Sequence, residues 1–300
     1  MIGTLKSSFL LVSLVVLAFG CGGAGASDDA SGEKVQVAAT ISVIQDLAQQ
    51  VGGERVAVTT IVPVGGSPET FQPSPRDAGT ISEAQAVFEN GHGLDAWVGD
   101  LVESAGNEDK RVVVLSEGLE PIDEGEHAGG NPHYWLDVAN AQHYVEKIRD
   151  TLVAVDPQGA EVYRANAKKY LAELEELDGY IKKKAMSIPE ERRKLVTFHD
   201  AFPYFAKAYG FELVGVVLEN PDAEPSSREV AEVVRTVEEE DVPAIFTEPQ
   251  FNAELADAIA QEAGVEVQEL YTDTLVEEEA GDTYEAMMRT NIDRISEALG

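Results

Sequence analysis

Apolar positions along this chain fall into two kinds of run that alternate. Short β-branched runs occur at residues 35–40, 56–64, 86–90 and 112–115, and again at 195–198, 211–218, 244–247 and 265–270. Between them lie stretches whose apolar residues recur every three or four positions, the spacing of a helix face. Residues 41–51 show it through Ile44, Leu47 and Val51 before Gly52-Gly53 stops the run, and 94–102 and 138–155 follow the same rule. In the second part the helical stretches are a segment after His199, then 226–239 with Val230, Val233, Val234 and Val237 on one side, 253–263 and 283–299. Strands alternating with helices predict βαβ units on mainly parallel sheets, an α/β fold.

One helix breaks the rhythm at mid-chain. After Asp156-Pro157, the residues Tyr163, Ala167, Tyr170, Leu174, Leu177 and Ile181 step by fours and threes, giving one apolar stripe. A helix over 157–185 is about 40 Å long. It reads either as an ordinary surface helix or as a rigid strut between two halves of like layout. The strut reading gives the expected organisation: a signal peptide at 1–20, a tether at 21–33, an N-terminal lobe at 34–156, a linking helix at 157–186 and a C-terminal lobe at 187–300.

The first 33 residues carry their own pattern. Lys6 precedes an apolar run from 9 to 19 that is too short to span a bilayer. The run ends at Gly20-Cys21, the one cysteine in the chain. A lone cysteine cannot close an internal disulfide, and its place resembles a bacterial lipobox, in which the cysteine is lipidated. An ordinary export signal with an incidental cysteine is the other reading. Residues 22–33 are rich in Gly, Ala, Ser and Asp, which suits a flexible tether.

Charge narrows the function classes. With 55 acidic against 22 basic residues the net charge is −33. A nucleic-acid partner is excluded, because phosphate binding needs Lys and Arg to displace counterions. Docking of the folded body on an anionic membrane is disfavoured for the same reason.

Candidate chemistry sits where strands end. Ligands of parallel α/β sheets bind beyond the carboxyl ends of strands. Glu69, His133, His199 and Asp273 all follow runs of strand type, two in each half. Imidazole nitrogens with carboxylate oxygens suit zinc, manganese or iron. Taken singly, Glu69 and Asp273 are ordinary loop acids, and either histidine reads as well as a packed core residue. His133 stands out because Pro132 fixes its backbone and Tyr134 and Trp135 flank it. His127, between Gly125 and Pro132, is a further candidate as an accessory ligand. No His-Glu-x-x-His, phosphate loop or nucleophile elbow is present, so no catalytic residue is assigned.

Several longer stretches together carry a family resemblance: IVPVGGSPETFQPSPRD (61–77), NPHYWLDV (131–138), TFHDAFPYFAKAYGF (197–211), EPSSREV (224–230), IFTEPQF (245–251) and LYTDTLVEEEAGDTYEAMMRTNIDRISEAL (270–299). The chain resembles the zinc/manganese substrate-binding lipoproteins of bacterial ABC importers, the cluster 9 metal-binding receptors. The resemblance implies two (βα) lobes joined by one long helix, with the metal in the cleft between them. It implies His133, His199 and Asp273 as ligands at matching positions. At Glu69 the chain departs, since the family usually has His after the loop proline. Its His-rich loop is reduced here to His127. The further implications are a Zn2+ or Mn2+ cargo, an ABC permease partner, a monomer outside the cytoplasm held to the membrane by a lipid on Cys21, and no enzymatic activity. A metal-dependent hydrolase using the same residues, and a surface adhesin with a structural metal, stand as alternatives.

Overall fold

The computed structural model describes residues 34–106, 111–122, 130–218, 225–251, 253–276 and 280–300. The expected export segment, tether, Cys21 and His127 lie outside the described residues.

The first sheet is built from β1 (Val35–Ala39), β2 (Val56–Thr60), β3 (Ala86–Glu89) and β4 (Arg111–Val114), in the order β2-β1-β3-β4 with every pair parallel. Its helices are α1 (Ser42–Gly52), α2 (Pro75–Glu83) and α3 (Val98–Ser104). The second sheet repeats the plan with β5 (Lys194–His199), β6 (Glu212–Leu218), β7 (Ala244–Thr247) and β8 (Glu266–Glu269), ordered β6-β5-β7-β8 and again all parallel. Helices α6 (Pro203–Tyr209), α7 (Ser227–Glu239) and α8 (Ala253–Ala263) accompany it. Between the sheets in sequence come α4 (Val138–Val155) and α5 (Ala160–Ser187), and α9 (Tyr284–Leu299) closes the chain.

Successive residues of a strand point to opposite faces, and here the two faces serve different cores. Val37, Ala39 and Phe88 of the first sheet, and Leu195, Ala244 and Phe246 of the second, join one large core. The intervening Ala38 and Val87 pack under α2 and α3, while Val196, Phe198 and Ile245 pack under α7 and α8. Burial on both faces explains the near-continuous apolar strands, the signature of a parallel sheet.

Helix α5 passes through the large core. Tyr163, Ala167, Tyr170, Leu174, Leu177, Ile181 and Ala185 are all buried along its stripe. It packs against α1 and α4, which follow from the first half, and against α9 from the end of the chain. At 28 residues it is roughly 42 Å long.

Three local details differ from the periodicity. Strand β2 ends at Thr60, and residues 61–64 continue as loop. Helix α3 starts at Val98, after a turn closed by Asp95. Helix α2 was absent from the hydrophobic pattern because Ile81 is its one buried residue. Its signal is the cap: Pro75 at the first helical position, with the Asp77 carboxylate accepting from the Ser74 backbone N–H at 2.7 Å.

Candidate metal centre

Each half of the chain delivers one imidazole. In the second sheet the chain leaves β5 on one side to make β6, then returns on the other side to make β7. That reversal opens a crevice between the carboxyl ends of β5 and β7, the usual ligand position in such sheets. His199 is the last residue of β5, and Glu248 is the first residue after β7. His133 arrives from the segment beyond β4, held by Pro132 and followed at once by a tight 3-10 turn, Tyr134–Leu136. Asp273 follows β8.

Three of the four expected residues meet. Ligand atoms of His133, His199 and Asp273 lie within 4.8 Å of one another, and all three side chains are buried. The two Nε2 atoms are 3.3 Å apart, and Asp273 Oδ1 is 3.3 Å from His133 Nε2. Asp273 Oδ2 is 3.8 Å from His199 Nε2. Glu69 stands at the edge of this triplet, its Oε1 3.9 Å from His133 Nε2. Its loop is pinned where the Trp97 indole N–H donates to the Pro68 carbonyl at 3.3 Å, with Phe71 packed on the Trp97 ring at 5.0 Å. The loop's beginning is tied to the aspartate segment by Gly65 N–H donating to Thr274 Oγ1 at 2.9 Å.

Two residues that sequence reading gave no role complete the arrangement. Asn131 Oδ1 accepts from the His133 backbone N–H at 3.0 Å and lies 2.9 Å from ring Nδ1. Glu248 Oε2 is paired with Nδ1 of His199. Both imidazoles therefore spend Nδ1–H on an oxygen acceptor, which turns the two Nε2 atoms towards each other and Asp273. Such outer partners orient metal-binding histidines and raise their basicity. Glu248 obeys the rule that selected Asp273, an acid just after a strand, so applying it to every strand would have found it. Asn131 carries no comparable signal in a single sequence.

The electrostatics favour positive charge between these side chains. Burial lowers the His199 pKa, but the carboxylates of Glu248, Asp273 and Glu69 outweigh it and hold the ring at about 10. Burial raises Asp273, yet the two neighbouring imidazoles bring it below the ordinary carboxylate value. Glu248 moves up, mainly through burial, against the pull of His199. Asp273 Oδ1 makes no hydrogen bond among the described residues. Nitrogens and oxygens crowded at 3.3 Å repel unless a cation or proton lies between them. Two nitrogens about 2.1 Å from a tetrahedrally bound metal stand roughly 3.4 Å apart, so the observed spacing matches a shared ion.

Residues 37–298 match ZnuA, the zinc-uptake complex component A, periplasmic. This chain belongs to that family. Within it and around it, the manganese-binding lipoprotein MntA of Halalkalibacterium halodurans is 38% identical over 294 residues, covering 97% of this chain and 97% of its own length. The manganese ABC transporter substrate-binding lipoprotein PsaA of Streptococcus pneumoniae strain TIGR4 is 33% identical, over 99% of this chain and 98% of its own. Among solved structures, the periplasmic zinc-binding protein TroA of Treponema pallidum superposes with a TM-score of 0.83 at 28% identity, covering 89% of this chain and 100% of TroA. The Mn-bound periplasmic metal-binding protein of Candidatus Liberibacter asiaticus gives 0.78 at 26% identity, with the same coverage. The relatives are thus metal-binding proteins, PsaA among them a substrate-binding lipoprotein of a manganese ABC transporter, and the α/β architecture of two parallel sheets is the family's. Among the described residues no helix is long and apolar enough to cross a membrane.

Proposed function

We propose that this family member captures a divalent transition metal, zinc or manganese, as cargo outside the cytoplasm and delivers it to an ABC permease. The observation that carries the reading is the pair of Nε2 atoms 3.3 Å apart, with Asp273 against them and all three side chains buried. His133, His199 and Asp273 are the ligands in this reading, and Glu69 swings or relaxes inward as the fourth. The cleft lies between an N-terminal lobe, 34–156, and a C-terminal lobe, 187–300, with 157–186 as the link. Cys21 carries the lipid, 21–33 is the tether, and the receptor works as a monomer. It is not an enzyme: four protein donors close a coordination sphere, which leaves no position for an activated water.

Metal analysis of protein purified without added metal, followed by chelator competition, tests the proposal. Wild type is expected to bind one equivalent of zinc or manganese, and His133→Ala and Asp273→Ala to lose it. Stoichiometric binding retained in both variants would refute the assignment.

A further inference from the structure

Asn131 is buried and every part of it is engaged. Its backbone N–H donates to the Ile122 carbonyl at 3.0 Å, and its carbonyl accepts from the Tyr204 hydroxyl at 2.9 Å. Its side-chain orientation follows from its partners. The His133 backbone N–H can only donate, so the atom facing it is the amide oxygen. The amide nitrogen then faces the Asp200 carbonyl, which can only accept, at 2.6 Å. Ring Nδ1 of His133, 2.9 Å from the same amide oxygen, must therefore carry its proton there.

One side chain thus holds the His133 ring in the tautomer that bares Nε2. It also ties that ring to the backbone one residue past His199. The two imidazoles come from segments 66 residues apart, and the Asn131–Asp200 bond joins those segments beside the 3.3 Å approach of the rings. An amide is the group that can do both tasks. A carboxylate at this position would still accept from His133 but would face the Asp200 carbonyl with no proton to offer. Separating the two segments to open the site requires breaking the Asn131–Asp200 bond.

We infer that Asn131 is the positioning residue for metal capture: it sets the tautomer of His133 and straps that ligand to the His199 segment, so that release requires the strap to part. The inference rests on the metal-receptor reading above.

The test uses the full chain with manganese(II) and zinc(II) as probes. In metal-free wild type, long-range proton–nitrogen NMR of the imidazoles should show His133 protonated at Nδ1. Asn131→Asp keeps the acceptor and loses the donor. It should keep that tautomer but release metal to a chelator on the order of ten- to a hundredfold faster, with melting of the metal-free protein little changed. Asn131→Ala should lose both the tautomer preference and slow release. A role confined to His133 predicts instead that Asn131→Asp releases metal no faster than wild type, because a carboxylate makes the ring a better donor. That result, or a wild-type His133 protonated at Nε2, overturns the inference even if Asn131→Ala fails to fold. Wild type that binds neither metal overturns the receptor reading, and this inference with it.

Discussion

Loading the site should expel one proton. In the metal-free protein His199 is held at a pKa of about 10, so at neutral pH the ring is an imidazolium. Its Nδ1–H is spent on Glu248, and the second proton lies on Nε2, pointing at His133 Nε2 at 3.3 Å. That proton occupies the place where the ion would sit. Binding to Nε2 must displace it, because a metal takes the neutral imidazole. From pH 7 to 9 the apparent affinity should rise about tenfold per pH unit, and at pH 7 it should lie about a thousandfold below its limit above the His199 pKa. Chelator competition at several pH values gives the slope, and calorimetry in two buffers of different ionisation enthalpy counts the protons. Glu248→Gln separates charge from geometry, since the amide oxygen can still accept from Nδ1–H. It should flatten the slope and, at pH 9, weaken binding on the order of ten- to a hundredfold. A wild-type affinity constant across pH 7–9, with no proton released, would refute this account of His199.

The same shift has a stability consequence of opposite sign. His199 has a folded pKa raised above its ordinary value of 6.5, so its contribution is full below about pH 6.5 and is lost as pH rises through about 10. Melting temperatures of metal-free protein should fall over that window while those of loaded protein do not; parallel curves would contradict it. Removing metal should leave a folded protein with unchanged far-ultraviolet dichroism, because the three cores are built from residues other than the ligands. Adding metal at a thousand times its dissociation constant should stabilise the fold by about 4 kcal/mol. Leu174→Ala at the centre of the α5 stripe should cost about 2–5 kcal/mol in denaturant unfolding, and a cost near zero would remove α5 from the core. Glu69→His, which replaces an oxygen donor by nitrogen, should raise zinc affinity relative to manganese in direct competition. An unchanged ratio would place Glu69 outside the coordination sphere.

Much of the architecture was legible in the order of residues, because burial imposes its period on the chain. Strands buried on both faces read as β-branched runs, and α5 declared itself through six apolar residues at helical spacing, to which the structure adds Ala185. Helix α2 did not, since a helix that buries little leaves no stripe, and only Ser74, Pro75 and Asp77 marked it. His199 and Asp273 were visible as chemistry-bearing residues after strands, whereas His133, expected there too, lies well beyond β4 and was marked by Pro132 and its aromatic neighbours. What the sequence could not fix is their mutual distance, which depends on two sheets and a shared core folding together. The same holds for proton placement. A histidine taken alone suggests titration near 6.5, and it is the buried carboxylates of Glu248, Asp273 and Glu69 around His199 that move it to about 10. Asn131 shows the limit most plainly: its neighbour His133 is two residues away, but Asp200 is 69 residues away, and only the tertiary structure brings one amide to both.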